Sequence, residues 1–292
     1  MRYVTYEVEG EGERQRAGGR GSDGRRRVGF LDGDQVVDAG FDGDMVAFIA
    51  AGAPLGRTAP VTGARLCAPL RPRSMRDFLA FEGHLTNAFS RLGREIPAEW
   101  YQTPAYYKGL PDTVIGPEEE IPWPRYTDAL DHELEIAVVI GPGGRDIARE
   151  RALDHVFGAT IWNDMSARDT QRAELPVGMG PCKAKDWDGS NVLGPCIVTS
   201  DEIDLTAIDA SVRINGETWG HDSTANMHHT FAAMIAYSSM DQTLHAGEVI
   251  GSGTLAGGSG LELDRWLAPG DVIEMEASGI GVLRNRVGPR PA

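Results

Sequence analysis

The sequence predicts a β-rich, mixed α/β protein with a small N-terminal β-rich domain, residues 1–70, and a larger domain, residues 71–292. Three observations support this class. Most apolar runs are short and end at glycine, asparagine or aspartate, as strands do. Only a few segments show helical spacing. The stretch "APLRPRS", residues 68–74, carries two prolines and is typical of a linker.

Two sequence turns predict β-hairpins. In "RRRVGFLDGDQVVDAG" the turn is expected at Asp32-Gly33, and in "ASVRINGETWG" at Asn215-Gly216. Asp-Gly and Asn-Gly favour two-residue hairpin turns because they tolerate positive φ. The segment "GEGERQRAGGRGSDGRRR" before the first hairpin is rich in glycine and charge and predicts a flexible loop.

Besides the start of "ARERALDHVFGATIWNDMSARD", which predicts a helix before a strand, two segments predict helices. In "SMRDFLAFEGHLTNAFSRLG" the residues Phe78, Phe81, Leu85 and Phe89 recur at helical spacing, and Ser74 is a candidate N-cap. The segment "TFAAMIAYSSM" predicts a second helix, whereas "GEVIGSGT", "DVIEMEASG" and "IGVLRNRVG" predict strands.

Composition excludes some classes of protein. With 28 basic and 43 acidic residues the formal charge is −15, and this argues against nucleic-acid binding, which requires a basic face. Three cysteines without a CxxC spacing predict neither a disulfide framework nor a zinc site. The N-terminus lacks the apolar region of a secretory signal, and no apolar run is long enough to span a membrane. We therefore expect a cytoplasmic protein.

The stretch "LDHELEIAVVIG" places Glu133 and Glu135 on one face of a predicted strand, since alternate residues of a strand share a face. The pair alone is equally consistent with a solvated edge strand. Asp164, which ends the apolar strand "GATIWND", favours a site for a hard cation instead, Mg²⁺ or else Mn²⁺ or Ca²⁺. Asp77 is a candidate fourth ligand. His84 lies seven residues later, two helical turns on, and is a candidate general base.

Five ordered motifs, "DFLAFEGH", "ELEI", "WNDMSARDTQ", "KDWDGSNVLGP" and "GSGT…GSGLEL", strongly resemble the fumarylacetoacetate hydrolase family. The similarity covers about Ser74 to Gly288, and residues 1–70 resemble the short N-terminal domain of many members. The resemblance implies the β-sandwich roll of this family as the catalytic domain, built around a divalent metal.

The resemblance also implies roles for single residues. The metal ligands would be Asp77, Glu133, Glu135 and Asp164. The catalytic residues would be His84 as the base that activates water, Glu262 as the carboxylate that orients it, and Lys185, with Lys183 as a rival for the lysine. The substrate-binding residues would be Arg168, Gln171, Thr254 and Tyr107.

The activity implied is a metal-dependent hydrolase that cleaves the C–C bond of a β-diketo acid, an acylpyruvate or a fumarylacetoacetate-like compound. The cation would stabilise the departing enolate while His84 and Glu262 activate water. The alternatives are an oxaloacetate-type decarboxylase, a keto–enol or dienoate isomerase, and a non-catalytic metal- or ligand-binding protein. The resemblance also suggests a homodimer. Gly93 and Leu175 stand where fumarylacetoacetate-cleaving members carry an arginine and a tyrosine, so the substrate stays open.

Overall fold

The computed structural model describes residues 1–8, 26–91, 93 and 95–291. Residues 10–25 of the predicted flexible loop lie outside this part of the chain. The described residues form a β-rich mixed α/β fold, as predicted.

The largest element is a sheet of twelve strands within the described residues. Ten of them follow the order β4-β3-β2-β1-β14-β12-β11-β17-β6-β7, while β5 pairs with β1 and β8 with β14. Their bounds are β1 Arg2–Val8, β2 Arg27–Asp32, β3 Gln35–Asp38, β4 Ala59–Pro60, β5 Ala64–Leu66, β6 Met75–Phe78, β7 Tyr106–Gly109, β8 Val114–Ile115, β11 Leu134–Ile140, β12 Val156–Asp164, β14 Asn191–Thr199 and β17 Val249–Gly251.

A second sheet has five strands in the order β16-β15-β18-β19-β9, and β10 pairs with β13 separately. The bounds are β9 Glu120–Ile121, β10 Leu130–Asp131, β13 Ser166–Ala167, β15 Asp209–Ile214, β16 Glu217–Ser223, β18 Val272–Ala277 and β19 Gly281–Val287. The α-helices are α1 Met45–Ala50, α2 Glu82–Arg91, α3 Arg168–Glu174, α4 Phe231–Ser239 and α5 Gly260–Leu263. Short 3₁₀-helices span Ala98–Tyr101, Pro111–Thr113, Arg149–His155, Leu175–Val177, Lys183–Lys185 and Thr224–Asn226.

The large sheet is covered on both faces. Along β11, Ile136 and Val138 belong to one apolar cluster, whereas Ala137 and Val139 belong to another. This alternation follows the two-residue period of a strand. The first cluster includes residues of the five-stranded sheet and the second includes residues of α1. Strands β11 and β12 therefore run through the interior of the molecule.

Both predicted hairpins form. The second turns at Asn215 and Gly216, which have φ values of 51° and 82°, as predicted. The first is shifted by one residue, because Asp32 pairs with Gln35 and the turn residues are Gly33 and Asp34.

The predicted helix after the linker is wrong in its first half. Residues Met75–Phe78 form the buried strand β6, parallel to β17 and antiparallel to β7, and the helix begins only at Glu82. Strand pairing on both sides of a fully buried segment overrides the helical spacing of its aromatic residues. Ser74 is not a helix cap, since its hydroxyl donates to Glu248 Oε2 at 2.8 Å.

The N-terminal segment extends the large sheet. Strand β1 is antiparallel to β14, with Arg2 opposite Val198 and Tyr3 opposite Ile197. The β-rich character expected for residues 1–70 is thus present. The domain boundary near residue 70 stays a prediction.

Candidate metal and catalytic site

Three buried carboxylates meet at the centre of the large sheet. Asp77 lies on β6, Glu135 on β11 and Asp164 at the end of β12, and one oxygen of each lies within 4.8 Å of the others. Glu135 and Asp164 are completely buried. Because β11 is an interior strand, the alternative of a solvated edge strand is excluded.

A glycine leaves the space in which the carboxylates meet. Strand β17 runs between β11 and β6, and its Gly251 lies opposite Asp77. A Cβ atom at Gly251 would stand 2.6 Å from Asp77 Oδ1 and 2.6 Å from the Trp162 ring. The residue type at this position is therefore dictated by the approach of Asp77.

Part of this acidic cluster lacks hydrogen-bond donors. Among the described residues, three buried carboxylate oxygens have no hydrogen-bond partner: both oxygens of Glu135, and Asp164 Oδ1. Burial and the charges of Asp77 and Asp164 raise the pKa of Glu135 well above its ordinary value. Burial, with the Asp164 charge, raises the pKa of Asp77 to about 8, and burial raises that of Asp164 to about 6. Buried carboxylates without donors suit a hard divalent cation, which takes oxygen ligands.

Glu133 borders the cluster and is ion-paired. Its Oε1 accepts from Arg168 Nη2 at 2.7 Å, and its Oε2 accepts from Lys185 Nζ. Burial raises the pKa of Glu133, but the charges of Lys185 and Arg168 outweigh burial and hold it well below its ordinary value. Glu133 is thus ionised beside the triad, and its role as a fourth ligand stays a prediction.

Lys185, and not Lys183, contacts the acidic cluster. Its ammonium group donates to Glu133 and Asp164, and the residue is only 5% exposed. Burial lowers the pKa of Lys185, yet the Asp164 and Glu133 charges outweigh burial and raise it. Lys183 is exposed and reaches the Asp186 carbonyl and the Tyr126 ring instead.

Arg168 is the first residue of α3 and is fully engaged inside the protein. Its Nε donates to Asp131 at 2.8 Å, and its Nη1 donates to Gln171 Oε1 at 2.9 Å, besides the bond to Glu133. Since Arg168 occupies the amide oxygen of Gln171, the NH₂ group of Gln171 remains as the donor for a ligand.

Two further predicted substrate residues lie on β7 and after the end of β17. Tyr107, on β7, donates its hydroxyl to Asp164 Oδ2 at 2.6 Å, and its ring lies 5.5 Å from Lys185 Nζ. Thr254 is buried three residues after Gly251. Their contacts with a substrate stay predictions.

His84 and Glu262 form a buried pair. His84 Nδ1 lies 2.8 Å from Glu262 Oε1, although His84 is on α2 and Glu262 on α5. Burial raises the pKa of Glu262, but hydrogen bonds from His84, Asn87 and the Gly257 N–H outweigh burial and lower it. The carboxylate engages Nδ1, so Nε2 is the other ring nitrogen of His84 and the one that a base would use.

The predicted helical spacing between Asp77 and His84 is wrong. Asp77 lies on a strand, so the two residues are not two turns apart on one helix.

The sequence reasoning missed two residues of the site. Asn87 Nδ2 donates to Glu262 Oε2 at 2.8 Å from the same helix as His84, three residues on. Asp131 is fully buried and binds Arg168. The alternation of acids at 131, 133 and 135 was a signal for Asp131, and the helical spacing of His84 and Asn87 was a signal for Asn87.

Comparisons with known proteins identify the family. Residues 73–288 match the family model of the fumarylacetoacetate (FAA) hydrolase C-terminal domain. An oxaloacetate tautomerase of Bacillus subtilis is 35% identical over 196 residues, 66% of this chain and 62% of its own length. The chain therefore belongs to the fumarylacetoacetate hydrolase family, as the sequence predicted.

Solved structures agree over the full chain. A fumarylacetoacetate hydrolase of Exiguobacterium antarcticum has a TM-score of 0.79 and 29% identity and covers 99% of this chain and 100% of its own. A 5-carboxymethyl-2-hydroxymuconate delta-isomerase of Mycobacterium smegmatis has a TM-score of 0.77 and 25% identity, with 99% and 100% coverage. The predicted family fold is confirmed, and the relatives include a hydrolase, an isomerase and a tautomerase.

Gly93 and Leu175, the two departures from the fumarylacetoacetate-cleaving pattern, are both exposed. Within the described residues, no helix has the length and apolar character needed to cross a membrane.

Proposed function

We propose that this protein is a Mg²⁺-dependent hydrolase that cleaves the C–C bond of a β-diketo acid of the acylpyruvate type. The contact between His84 and Glu262, beside the buried triad of Asp77, Glu135 and Asp164, supports this proposal most directly. A base held by an ionised carboxylate is the arrangement required for removing a proton from water.

The donor set fits a divalent metal. The triad and Glu133 together offer four buried carboxylates, and Lys185 and Arg168 are the cations in contact with them among the described residues. A Mg²⁺ ion held by these carboxylates would act as a Lewis acid on the 2-oxo group of the substrate. Excess buried negative charge is costly without such a cation.

The hydrolytic step begins at His84. Its Nε2 takes a proton from water while the water oxygen bonds to the acyl carbon of the substrate. Glu262 Oε1, 2.8 Å from Nδ1, accepts the Nδ1 hydrogen bond, fixes the tautomer and stabilises the imidazolium that forms. Asn87 keeps the second oxygen of Glu262 occupied, so the carboxylate does not turn away from His84.

The C–C bond between the acyl carbon and the methylene carbon then breaks. Its electron pair stays with the methylene carbon and is delocalised as the pyruvate enolate. The proton carried by His84 returns to this carbon, giving pyruvate and a carboxylic acid. One water is consumed, so the atoms balance.

Lys185 contributes charge and not a proton. Its ammonium group lies against Glu133 and Asp164 and would stabilise negative charge on substrate oxygens as they develop. The amide NH₂ of Gln171 donates to a substrate oxygen, because its own oxygen is bound to Arg168.

A second candidate is keto–enol tautomerisation or decarboxylation of a 2-oxo dicarboxylate. The 35% identity to a protein named oxaloacetate tautomerase favours it. Decarboxylation would need the cation and the charge of Lys185 but no activated water, whereas tautomerisation would also need a base, such as His84, to move a proton between carbon and oxygen. A non-catalytic binding protein is the third candidate, and a homodimer remains the proposed assembly.

The discriminating experiment is a steady-state assay with Mg²⁺ on acylpyruvates, fumarylacetoacetate-like diketo acids and oxaloacetate. We expect the wild-type protein to cleave diketo acids and His84→Ala to lose about 10²–10⁴-fold in kcat, the usual contribution of a general base. His221→Ala, an exposed histidine on β16, is the matched control and should retain activity. Equal turnover of oxaloacetate by wild-type and His84→Ala, without cleavage of diketo acids, would support the second candidate. Ligand binding without any turnover would support the third.

A further inference from the structure

Asp131 lies between the acidic cluster and the His84–Glu262 pair and is completely buried. Its carboxylate accepts from Arg168 Nε at 2.8 Å, from the Gly260 N–H at 2.8 Å and from the Leu261 N–H at 3.0 Å. A fourth bond comes from the His132 N–H at 2.9 Å. Two of these donors belong to α5 and one to α3, so a single carboxylate joins two elements that carry predicted site residues.

On the side of the metal cluster, Asp131 acts on Arg168. The guanidinium group is held between Asp131 and Glu133, and Glu133 in turn binds Lys185. A guanidinium fork fixed at one end has few orientations left at the other. Asp131 thereby determines how Arg168 meets Glu133.

On the side of the His84 pair, Asp131 acts on α5. This helix has only four residues, Gly260–Leu263, and a helix that short has no stability of its own. A carboxylate that accepts the first N–H groups of a helix stabilises that end. Glu262, which binds His84, lies within this single turn.

A glycine at position 260 is required for α5 to approach Asp131. A Cβ atom at Gly260 would stand 2.6 Å from Asp131 Oδ1 and 2.1 Å from the Arg265 carbonyl oxygen. The neighbouring backbone is also joined, since Glu133 forms an antiparallel bridge with Ser259. Ser259 donates its hydroxyl to Glu262 Oε1 at 3.0 Å.

We propose that Asp131 is a positioning residue that sets the orientation of Glu262, and through it His84, relative to the metal cluster. Among the described residues it has no hydrogen bond to the triad, and it acts through α5 and Arg168. The proposal rests on the proposed function only for its effect on turnover.

The test is Asp131→Asn, which keeps the shape of the side chain but replaces one accepting oxygen with an NH₂ donor facing N–H donors. We expect kcat for the diketo acid to fall about 10- to 100-fold with little change in KM, because misplaced catalytic groups cost rate more than substrate binding. Mg²⁺ affinity should change far less than kcat, since among the described residues no hydrogen bond joins Asp131 to the triad and Asp131 reaches Glu133 only through Arg168. Asp169→Asn is the matched control: this partly buried carboxylate on α3 holds Thr127 and the Asp128 N–H and should leave turnover unchanged.

A double-mutant cycle identifies the route of the effect. If Asp131 acts through Glu262, the double variant Asp131→Asn/Glu262→Gln should be no slower than Glu262→Gln alone. Full additivity of the two losses would overturn the proposal, as would unchanged kcat in Asp131→Asn.

A second readout does not depend on turnover. Amide hydrogen exchange at Gly260 and Leu261 should become at least about tenfold faster in Asp131→Asn and stay unchanged in Asp169→Asn, because local opening governs this exchange. If no diketo acid is cleaved by the wild-type protein, the proposed function fails while this exchange still tests the role of Asp131. Unchanged exchange would overturn it. If Asp131→Asn does not fold, Asp131→Glu replaces it, since this variant keeps the charge but displaces the carboxylate. Its kcat and its amide exchange at Gly260 and Leu261 are then measured in the same way.

Discussion

At the residue scale, the site depends on which charged groups are buried together. Lys185 is almost fully buried and forms ion pairs with Glu133 and Asp164, whereas its near neighbour Lys183 is exposed. Removing one member of a buried ion pair leaves the other charge uncompensated. The two lysines therefore provide a test and its control two positions apart in the chain.

We predict that Lys185→Met abolishes most turnover, because the charge that stabilises substrate oxygens is lost. We also expect a loss of about 3 kcal/mol in the free energy of unfolding of the metal-free protein, as for other broken buried pairs. Lys183→Met should change neither quantity appreciably. Steady-state kinetics and urea denaturation measure both, and equal effects of the two substitutions would contradict the assignment of Lys185.

At the element scale, the acidic triad exists because four neighbouring strands bring their residues together. Asp77, Glu135 and Asp164 come from β6, β11 and β12, and β17 between them contributes only the space at Gly251. The nearest heavy atoms to a Cβ at Gly251 are an oxygen of Asp77 and a tryptophan ring buried in the core, so neither neighbour yields easily.

We predict that Gly251→Ala weakens Mg²⁺ binding by displacing Asp77, even though the substitution adds one methyl group. Gly109→Ala, on β7 of the same sheet, is the control, because its Cβ would meet its nearest neighbour, Met75 Cβ, at 3.3 Å. Isothermal titration calorimetry with Mg²⁺ measures the affinity of both variants. Wild-type affinity in Gly251→Ala would show that Asp77 does not need this space.

Elements also show what the sequence could and could not predict. The hairpin at Asn215-Gly216 and the helix Phe231–Ser239 followed from local signals, and both are present. Strand β6 did not follow, since Met75–Phe78 has helical spacing and only its pairing with β17 and β7 makes it a strand. The contacts of Asp131 could not be predicted for a related reason, since its partners Gly260 and Leu261 lie far away in the sequence.

At the scale of the whole molecule, the protein combines a formal charge of −15 with a buried cluster of acids. Protons and a divalent cation are alternative ways of neutralising this cluster. In the folded, metal-free protein the pKa of Asp77 is about 8 and that of Asp164 about 6, above the ordinary value of 3.8. A raised carboxyl pKa stabilises the fold at low pH, and that stabilisation is lost as pH rises through the folded pKa.

We therefore predict that the metal-free protein loses stability between about pH 4 and about pH 8, and that Mg²⁺ restores it most at the upper end of this range. Below the folded pKa values protons compete with the cation, so its affinity should fall about tenfold per pH unit for each proton displaced. Calorimetric Tm values with EDTA and with Mg²⁺, at about pH 6 and about pH 8, measure the effect. A metal-induced rise in Tm that is equal at both values, or larger at the lower one, would contradict this account of the cluster.

The family, the β-rich fold class and the acids of the triad could all be predicted from the sequence, because ordered motifs carry them. The ion pairing of Glu133 with Arg168 and Lys185 could not be, since it depends on packing between α3, the 3₁₀-helix at Lys183–Lys185 and the start of β11. The reaction itself could not be predicted, since the relatives include a hydrolase, an isomerase and a tautomerase.

The central claim is that one divalent cation binds between Asp77, Glu135 and Asp164, and anomalous diffraction from crystals soaked with Mn²⁺ tests it most directly. We expect a single strong anomalous peak within coordination distance of all three carboxylates, and no peak at this place in Glu135→Gln crystals soaked in the same way. A wild-type map without a peak at the triad, or with peaks only at surface carboxylates, would contradict it.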